Sequence, residues 1–123
     1  IARGLSLDRN WKVVGHPAFK PEKREMDATT RRELDAKIKL LAYWGPQLEC
    51  PHVDTLDGSK HANMKELRFE TLDSVWRVAF AFDPKRRAVL LVAGNKIGLR
   101  NKQEDRFYRQ LIRTADHRFD DYT

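Results

Sequence analysis

The sequence predicts a single α+β domain: N-terminal helices packed on a small, mainly antiparallel sheet, with an amphipathic helix closing the chain. Three observations carry that expectation. Three strand-like runs, Lys65–Thr71, Val75–Phe82 and Arg87–Asn95, follow one another with only short turn signals between them. A helical apolar period precedes them and another follows. The chain has 123 residues, enough to bury roughly two-thirds of the unfolded surface in one core and too few for two ordinary domains. With 41% apolar and 34% charged residues, 6 Gly and 5 Pro, the composition excludes a disordered or fibrous protein. No apolar run approaches the roughly 18 residues of a membrane-spanning helix.

Ile1–Asn10 carry no motif and show no basic-then-apolar leader pattern, so they are read as an N-terminal extension, with residues 11–123 as the domain. Trp11-Lys-Val-Val14 reads as a short opening strand, broken by His16-Pro17, with a short helix from about Ala18 to Met26. Thr30-Arg31-Arg32-Glu33 fits a capping box, and Leu34, Ile38, Leu41 and Ala42 follow at helical spacing until Gly45-Pro46. Gln47–Ala62 then reads as a long polar loop. The three strands form an antiparallel meander, turning at Leu72-Asp73-Ser74 and at Asp83-Pro84-Lys85-Arg86, where Pro suits the second position of a type I turn. A helix from about Gln103 to Asp121 carries the stripe Phe107, Tyr108, Leu111, Ile112, Ala115 and Phe119.

Strand alternation then places side chains on faces. Trp76, Val78, Phe80 and Phe82 share one face, as do Leu67 and Phe69; Glu66, Arg68 and Glu70 take the other. If both apolar sets share the core, Arg68 and Arg77 become close cross-strand neighbours on the opposite face. Pairing Phe82 with Arg87 puts Leu90, Val92 and Lys96 on the Arg77 face as well. Two like charges side by side require an explanation.

Charge points the same way. The chain carries a formal net charge of +6, and between Lys60 and Arg113 there are 13 Lys/Arg against 6 Asp/Glu, so the whole excess lies in that stretch. A localised cationic surface suits a polyanion such as nucleic acid, or an acidic protein. Lys60, Arg68, Arg77, Lys96, Arg100, Lys102 and Arg106 are its nucleic-acid-binding candidates. Cleaving RNA by attack of its own 2′-hydroxyl needs a proton acceptor, cations for the charge on the phosphorane and a donor for the leaving oxygen. Arg68 and Arg77 supply forked guanidiniums for a phosphate, and Lys65, Lys96 and His61 can exchange protons. Tyr108 can stack on a base or donate a proton. Each has a plainer reading: the arginines pair with Glu66 and Glu70 on a solvated face, His61 is a surface residue, and Tyr108 packs in the core. The histidines lack metal-ligand spacing, and Cys50, the single cysteine, cannot form an internal disulfide, so neither metal nor cofactor is expected and a reducing cytoplasm is the fitting compartment.

Met64-Lys-Glu-Leu-Arg-Phe69, Val75-Trp-Arg-Val-Ala-Phe-Ala-Phe-Asp-Pro84, Leu90-Leu-Val-Ala-Gly-Asn-Lys96 and Arg106-Phe-Tyr108, in that order after two helices, resemble the RelE/ParE superfamily of bacterial toxins, most closely its HigB-like branch. The resemblance covers about Trp11 to Tyr122. It implies the toxin of a type II toxin–antitoxin system: a cytoplasmic endoribonuclease that cuts mRNA on the ribosome and is neutralised by a cognate antitoxin, often one with a helix-turn-helix DNA-binding domain. By motif it carries over Arg68, Arg77 and Lys96 as catalytic, with weaker claims for Lys65, His61 and Tyr108. It leaves two alternatives open, ParE-like inhibition of DNA gyrase and a remnant that only binds antitoxin. The departure is the C-terminus, a long amphipathic helix where many RelE-like toxins end in a shorter basic segment.

Overall fold

Five strands form one sheet in the order β1-β5-β4-β3-β2, and helices cover both of its faces. The computed structural model describes residues 11–122; the expected extension over 1–10 lies outside them. In chain order the elements are β1 (Lys12–Gly15), α1 (Phe19–Arg24), α2 (Ala28–Trp44) with a 3₁₀ turn at Gly45–Gln47, β2 (Val53–Thr55), β3 (Met64–Thr71), β4 (Ser74–Phe82), β5 (Arg87–Asn95) and α3 (Lys102–Tyr122). β1 runs parallel to β5 and the other pairings are antiparallel.

α2 begins one turn before the expected box at Thr30. Asp27 is its cap, its carboxylate accepting from the Thr30 N–H at 2.8 Å. That hydrogen bond holds Asp27 below its ordinary pKa and satisfies an orphan donor of the first turn. Gly45 ends the helix at φ 56, in the left-handed region, and a Cβ there would lie 2.4 Å from the Trp11 ring, so only glycine fits the turn and the contact. The expected loop Gln47–Ala62 contains β2, which forms by pairing Val53, Asp54 and Thr55 with Leu67, Glu66 and Lys65. Three residues give no periodic signal of their own, so this strand is visible only in its partner.

β3 and β4 pair as the alternation required, with Arg68 opposite Arg77 and Phe69 opposite Trp76. The next hairpin differs. Arg86 N–H donates to Asp83 O at 3.3 Å, closing the expected turn, but Asp83 N–H donates to Arg87 O, so Phe82 pairs with Ala88 rather than with Arg87. Leu90 therefore falls opposite Phe80, in the core under α2, and not on the Arg77 face. A bulge then leaves Leu91 without a β4 partner: Phe80 pairs with Leu90 but Ala79 pairs with Val92. The extra residue reverses the phase and returns Val92 and Gly94 to the Arg77 side.

The core has two parts. Beneath α1 and α2, Phe19, Leu34, Leu41, Leu67, Val78 and Phe80 are buried together, each contributing roughly 1.5–3 kcal/mol by removing apolar surface from water. Beneath α3, Leu111, Ala115 and Phe119 rest on Ala79, Ala81, Val89, Leu91 and Val92. Small residues let α3 lie close: a Cβ on Gly94 would sit 2.7 Å from the Phe107 ring. Beyond the end of β1 the outer edge of β5 is capped by side chains. Glu22 accepts from the Ala93 N–H at 3.0 Å, and Arg118 donates to Leu91 O and pairs with Glu22, both at 2.8 Å, which blunts an edge that could otherwise pair with another chain.

Candidate functional site

The explanation for the two adjacent arginines lies on the α3 side of the sheet. Glu66, two residues before Arg68 on β3, shares their face and is buried. Its Oε1 is 3.7 Å from Arg77 Nε and its Oε2 is 4.0 Å from Arg68 Nε. Arg77 is itself buried; its Nε donates to Tyr108 Oη at 3.1 Å and its Nη1 donates to the Trp76 carbonyl at 2.9 Å. Arg68 is more exposed and reaches Asp54 of β2 at 3.6 Å. Lys96, just past β5, hydrogen-bonds Glu104 of α3 and lies 5.2 Å from the centre of the Tyr108 ring. β3, β4, the end of β5 and the first turns of α3 thus bring Glu66, Arg68, Arg77, Lys96, Glu104 and Tyr108 together.

The electrostatics of the two glutamates differ. Burial pushes the Glu66 carboxyl above its ordinary range, with the Arg77 and Arg68 charges and the Tyr108 hydroxyl opposing and Asp54 adding to the rise. The Lys96 hydrogen bond holds Glu104 below its own. Where β2 stops, a cleft of about 310 Å³ opens at the sheet edge, lined by Lys37, Pro51, Arg68, Phe69, Glu70 and Arg77. Lys37, Arg68 and Arg77 line it together with Glu70; Arg68, the more exposed, offers a planar N–H fork suited to a phosphate, beside an Arg77 whose Nε and Nη1 already donate within the protein.

Not every expected residue reaches this place. Lys65 projects to the opposite face, where its Nζ donates to Thr55 Oγ1 at 3.1 Å. His61 pairs with Asp120 at 2.8 Å and packs edge-on against Phe119, and Lys60 pairs with the same carboxylate. Asp120 lies twelve residues beyond Tyr108 on α3, roughly 18 Å at the helical rise. Arg100, Lys102 and Arg106 are exposed where α3 begins. Arg106 borders a separate groove with Val92, Gly94 and Phe107. Among the described residues no group of three or more His, Cys, Asp or Glu side chains could hold a metal ion.

Sequence reasoning gave Glu66 no role beyond neutralising charge, and it passed over Lys37 and Asp54. The signal for Glu66 was present, since it alternates with Arg68 on a face that must also take Arg77. Lys37 had none, because it reaches the cleft only through the crossing of α2 over the sheet edge, where its Nζ lies 2.8 Å from His52 Nδ1.

Comparison with known proteins gives matches of three kinds. Residues 22–120 match the family of phage-derived Gp49-like proteins (DUF891). A Mycobacterium tuberculosis protein that carries the name toxin HigB2 is 44% identical over 95 residues, 76% of this chain and 45% of that protein, so the chain spans about half of that relative's length. A second protein of the same organism, named as toxin HigB3, is 41% identical over 85 residues, 69% of each. The fold is that of the E. coli toxin RelE. A double arginine-to-alanine mutant of RelE in the free state superposes with a TM-score of 0.60, covering 89% of this chain and 97% of RelE at 14% identity. The isolated RelE toxin gives 0.54, covering 82% and 98%.

Proposed function

We propose, from the premise that this chain belongs to the family of phage-derived Gp49-like proteins, that it is the toxin of a type II toxin–antitoxin pair, an endoribonuclease that cuts mRNA on the ribosome and is neutralised by a cognate antitoxin. The names of the two mycobacterial relatives support the toxin reading. The observation that carries the chemistry is the cross-strand pair Arg68–Arg77 opening on a cationic cleft. Two guanidiniums held side by side match the paired oxygens of a phosphodiester.

In this reading Arg68 and Arg77 bind the scissile phosphate and stabilise the charge that builds on it as the 2′-oxygen attacks phosphorus, its proton passing to solvent water, and the 5′-oxygen leaves. Lys96, beside the Tyr108 ring, supplies a proton to the leaving oxygen, and Tyr108, oriented by Arg77, stacks on a flanking base. Lys65 and His61 take no part at the phosphate, being across the sheet and at the far end of α3. Lys60, Arg100, Lys102 and Arg106 draw in the polyanion from further out, an effect that weakens with salt. The ribosome supplies the orientation of the mRNA, so that cations and positioning suffice. An acidic amphipathic segment of an antitoxin with a helix-turn-helix domain complements the basic stretch. The setting is the cytoplasm, in keeping with the fact that no helix among the described residues is long and apolar enough to cross a membrane.

The test is tightly induced expression of the chain and of an Arg68→Ala/Arg77→Ala variant, with mRNA 5′ ends mapped in translating cells. Codon-phased cuts made by the native chain alone are expected. Growth arrest with intact mRNA would instead favour gyrase inhibition, and no arrest would leave a domain that only binds antitoxin.

A further inference from the structure

Glu66 is a buried carboxylate that this reaction scheme does not use. Its side chain is 6% exposed, and its Oε1 has no hydrogen-bond partner. The groups facing it are Arg68 on its own strand, Arg77 from β4, Asp54 from β2 and the Tyr108 hydroxyl from α3, with Lys96 and Glu104 paired beyond the tyrosine. At 3.7 and 4.0 Å, its contacts with the two arginines are too long for the parallel N–H bonds a guanidinium makes with a carboxylate. Desolvating a carboxylate that only the Tyr108 hydroxyl hydrogen-bonds is costly, which marks Glu66 as a group with a further role. Here the carboxylate attracts both guanidiniums without engaging them in bonds that an incoming anion would have to break.

We propose that Glu66 is a positioning residue for the phosphate-binding pair: its buried carboxylate holds Arg68 and Arg77 side by side in the free protein, and it takes up one proton from solvent when an RNA phosphate replaces it as their counter-ion. The inference rests on the ribonuclease reading above. A phosphate between the arginines adds negative charge beside a carboxyl group already pushed upward by burial, and so favours its neutral form further. Linkage makes the effect reciprocal: whatever factor phosphate adds to proton affinity, the proton adds to phosphate affinity.

The experiment is calorimetric titration of the full chain with an all-2′-O-methyl RNA oligonucleotide, which cannot be cleaved. It is run in buffers of different ionisation heat, so that protons exchanged on binding are counted directly. The native chain takes up a proton per RNA bound, and Glu66→Asp, which keeps the carboxyl group, does so too. Glu66→Gln takes up none, binds roughly fivefold or more tightly in mildly basic buffer, and loses most of the native dependence of affinity on pH. A merely structural role would shift the melting temperature of Glu66→Gln without changing the proton count. RNA binding by the native chain with no proton exchange, or equal uptake by Glu66→Gln, overturns the role of Glu66 and leaves the nuclease reading standing. Failure of the native chain to bind the RNA at low salt overturns the role of Glu66 together with that of the arginine pair as a phosphate site on its own, while the mapped mRNA ends decide the nuclease reading.

Discussion

The two ends of α3 are both laced with ion pairs, yet they are built differently. Near its C-terminus Asp116, Asp120 and Asp121 pin the helix to the loop after β2 and to the end of β1. Asp116 accepts from Ser59 Oγ and the Lys60 N–H, Asp120 pairs with Lys60 and His61, and Asp121 pairs with His16. His16 apart, which is buried, these groups lie at or near the surface, where screening by water and salt leaves little net stability. Near its N-terminus the helix covers Glu66 and Arg77, both buried, with a carboxylate oxygen lacking any hydrogen bond. The far end satisfies its partners, whereas the near end leaves a buried carboxylate oxygen unsatisfied.

That contrast breaks first at Arg77. Arg77→Ala is expected to lower mRNA cleavage about 10³-fold and, by leaving Glu66 buried beside a single, more distant arginine, to cost about 3–5 kcal/mol of stability. Denaturant titration separates the two losses, and so does Arg77→Lys, which keeps the charge but not the planar fork and should still lose about 10²-fold in cleavage while remaining folded. Next comes Gly94→Ala, whose methyl group would meet the Phe107 ring at 2.7 Å. It should cost about 1–3 kcal/mol and reduce cleavage by displacing the α3 turns that carry Glu104 and Tyr108.

A smaller effect separates two carboxylates by pH. Burial pushes Asp83 upward, but the Arg87 and Lys85 backbone N–H groups and the Arg87 guanidinium outweigh it and hold the group below its ordinary value. Its contribution is therefore present above the ordinary carboxylate pKa and is lost as pH falls through the lowered one. Glu66 has the opposite sign: its raised value gives stability in acid that is lost as pH rises through it. Melting temperature against pH should lose its acid-side fall in Asp83→Asn and its decline on the other side in Glu66→Gln. The smallest effect is expected of Asp120→Asn, with cleavage equal to native and a melting temperature within the scatter of replicate scans; a clear loss of cleavage would make the far end of α3 part of the site.

Much of this was legible in the chain. The meander, the α3 stripe and the cross-strand arginines follow from alternation and turn length, which are local properties. The face of Lys96 was expected correctly, but through two errors that cancel in phase while adding up to a register two residues out. Pairing Phe82 with Arg87 set the register one residue out, and the bulge at Leu91, invisible in an unbroken run of Val, Leu and Ala, shifted the phase back. Glu66 was readable as a neighbour and not as a buried charge, because burial depends on α3 closing over it. β2 and Lys37 were not readable at all, since each owes its place to an element distant in sequence.

The bulge also sets which changes in the gene the protein can absorb. Deleting the codon for Leu91 would keep the reading frame and leave a strand of ordinary composition. Everything beyond it would keep its place, because Val92 would follow Leu90 directly and still meet Ala79: Gly94 would face Phe107 and Lys96 would stay beside Tyr108. An inserted codon, by contrast, would either leave a second residue unpaired or turn over everything beyond it, carrying Lys96 to the other side of the sheet. Natural shortening of β5 should therefore fall at Leu91, whereas natural lengthening should collect in the surface turns, such as that at Leu72-Asp73.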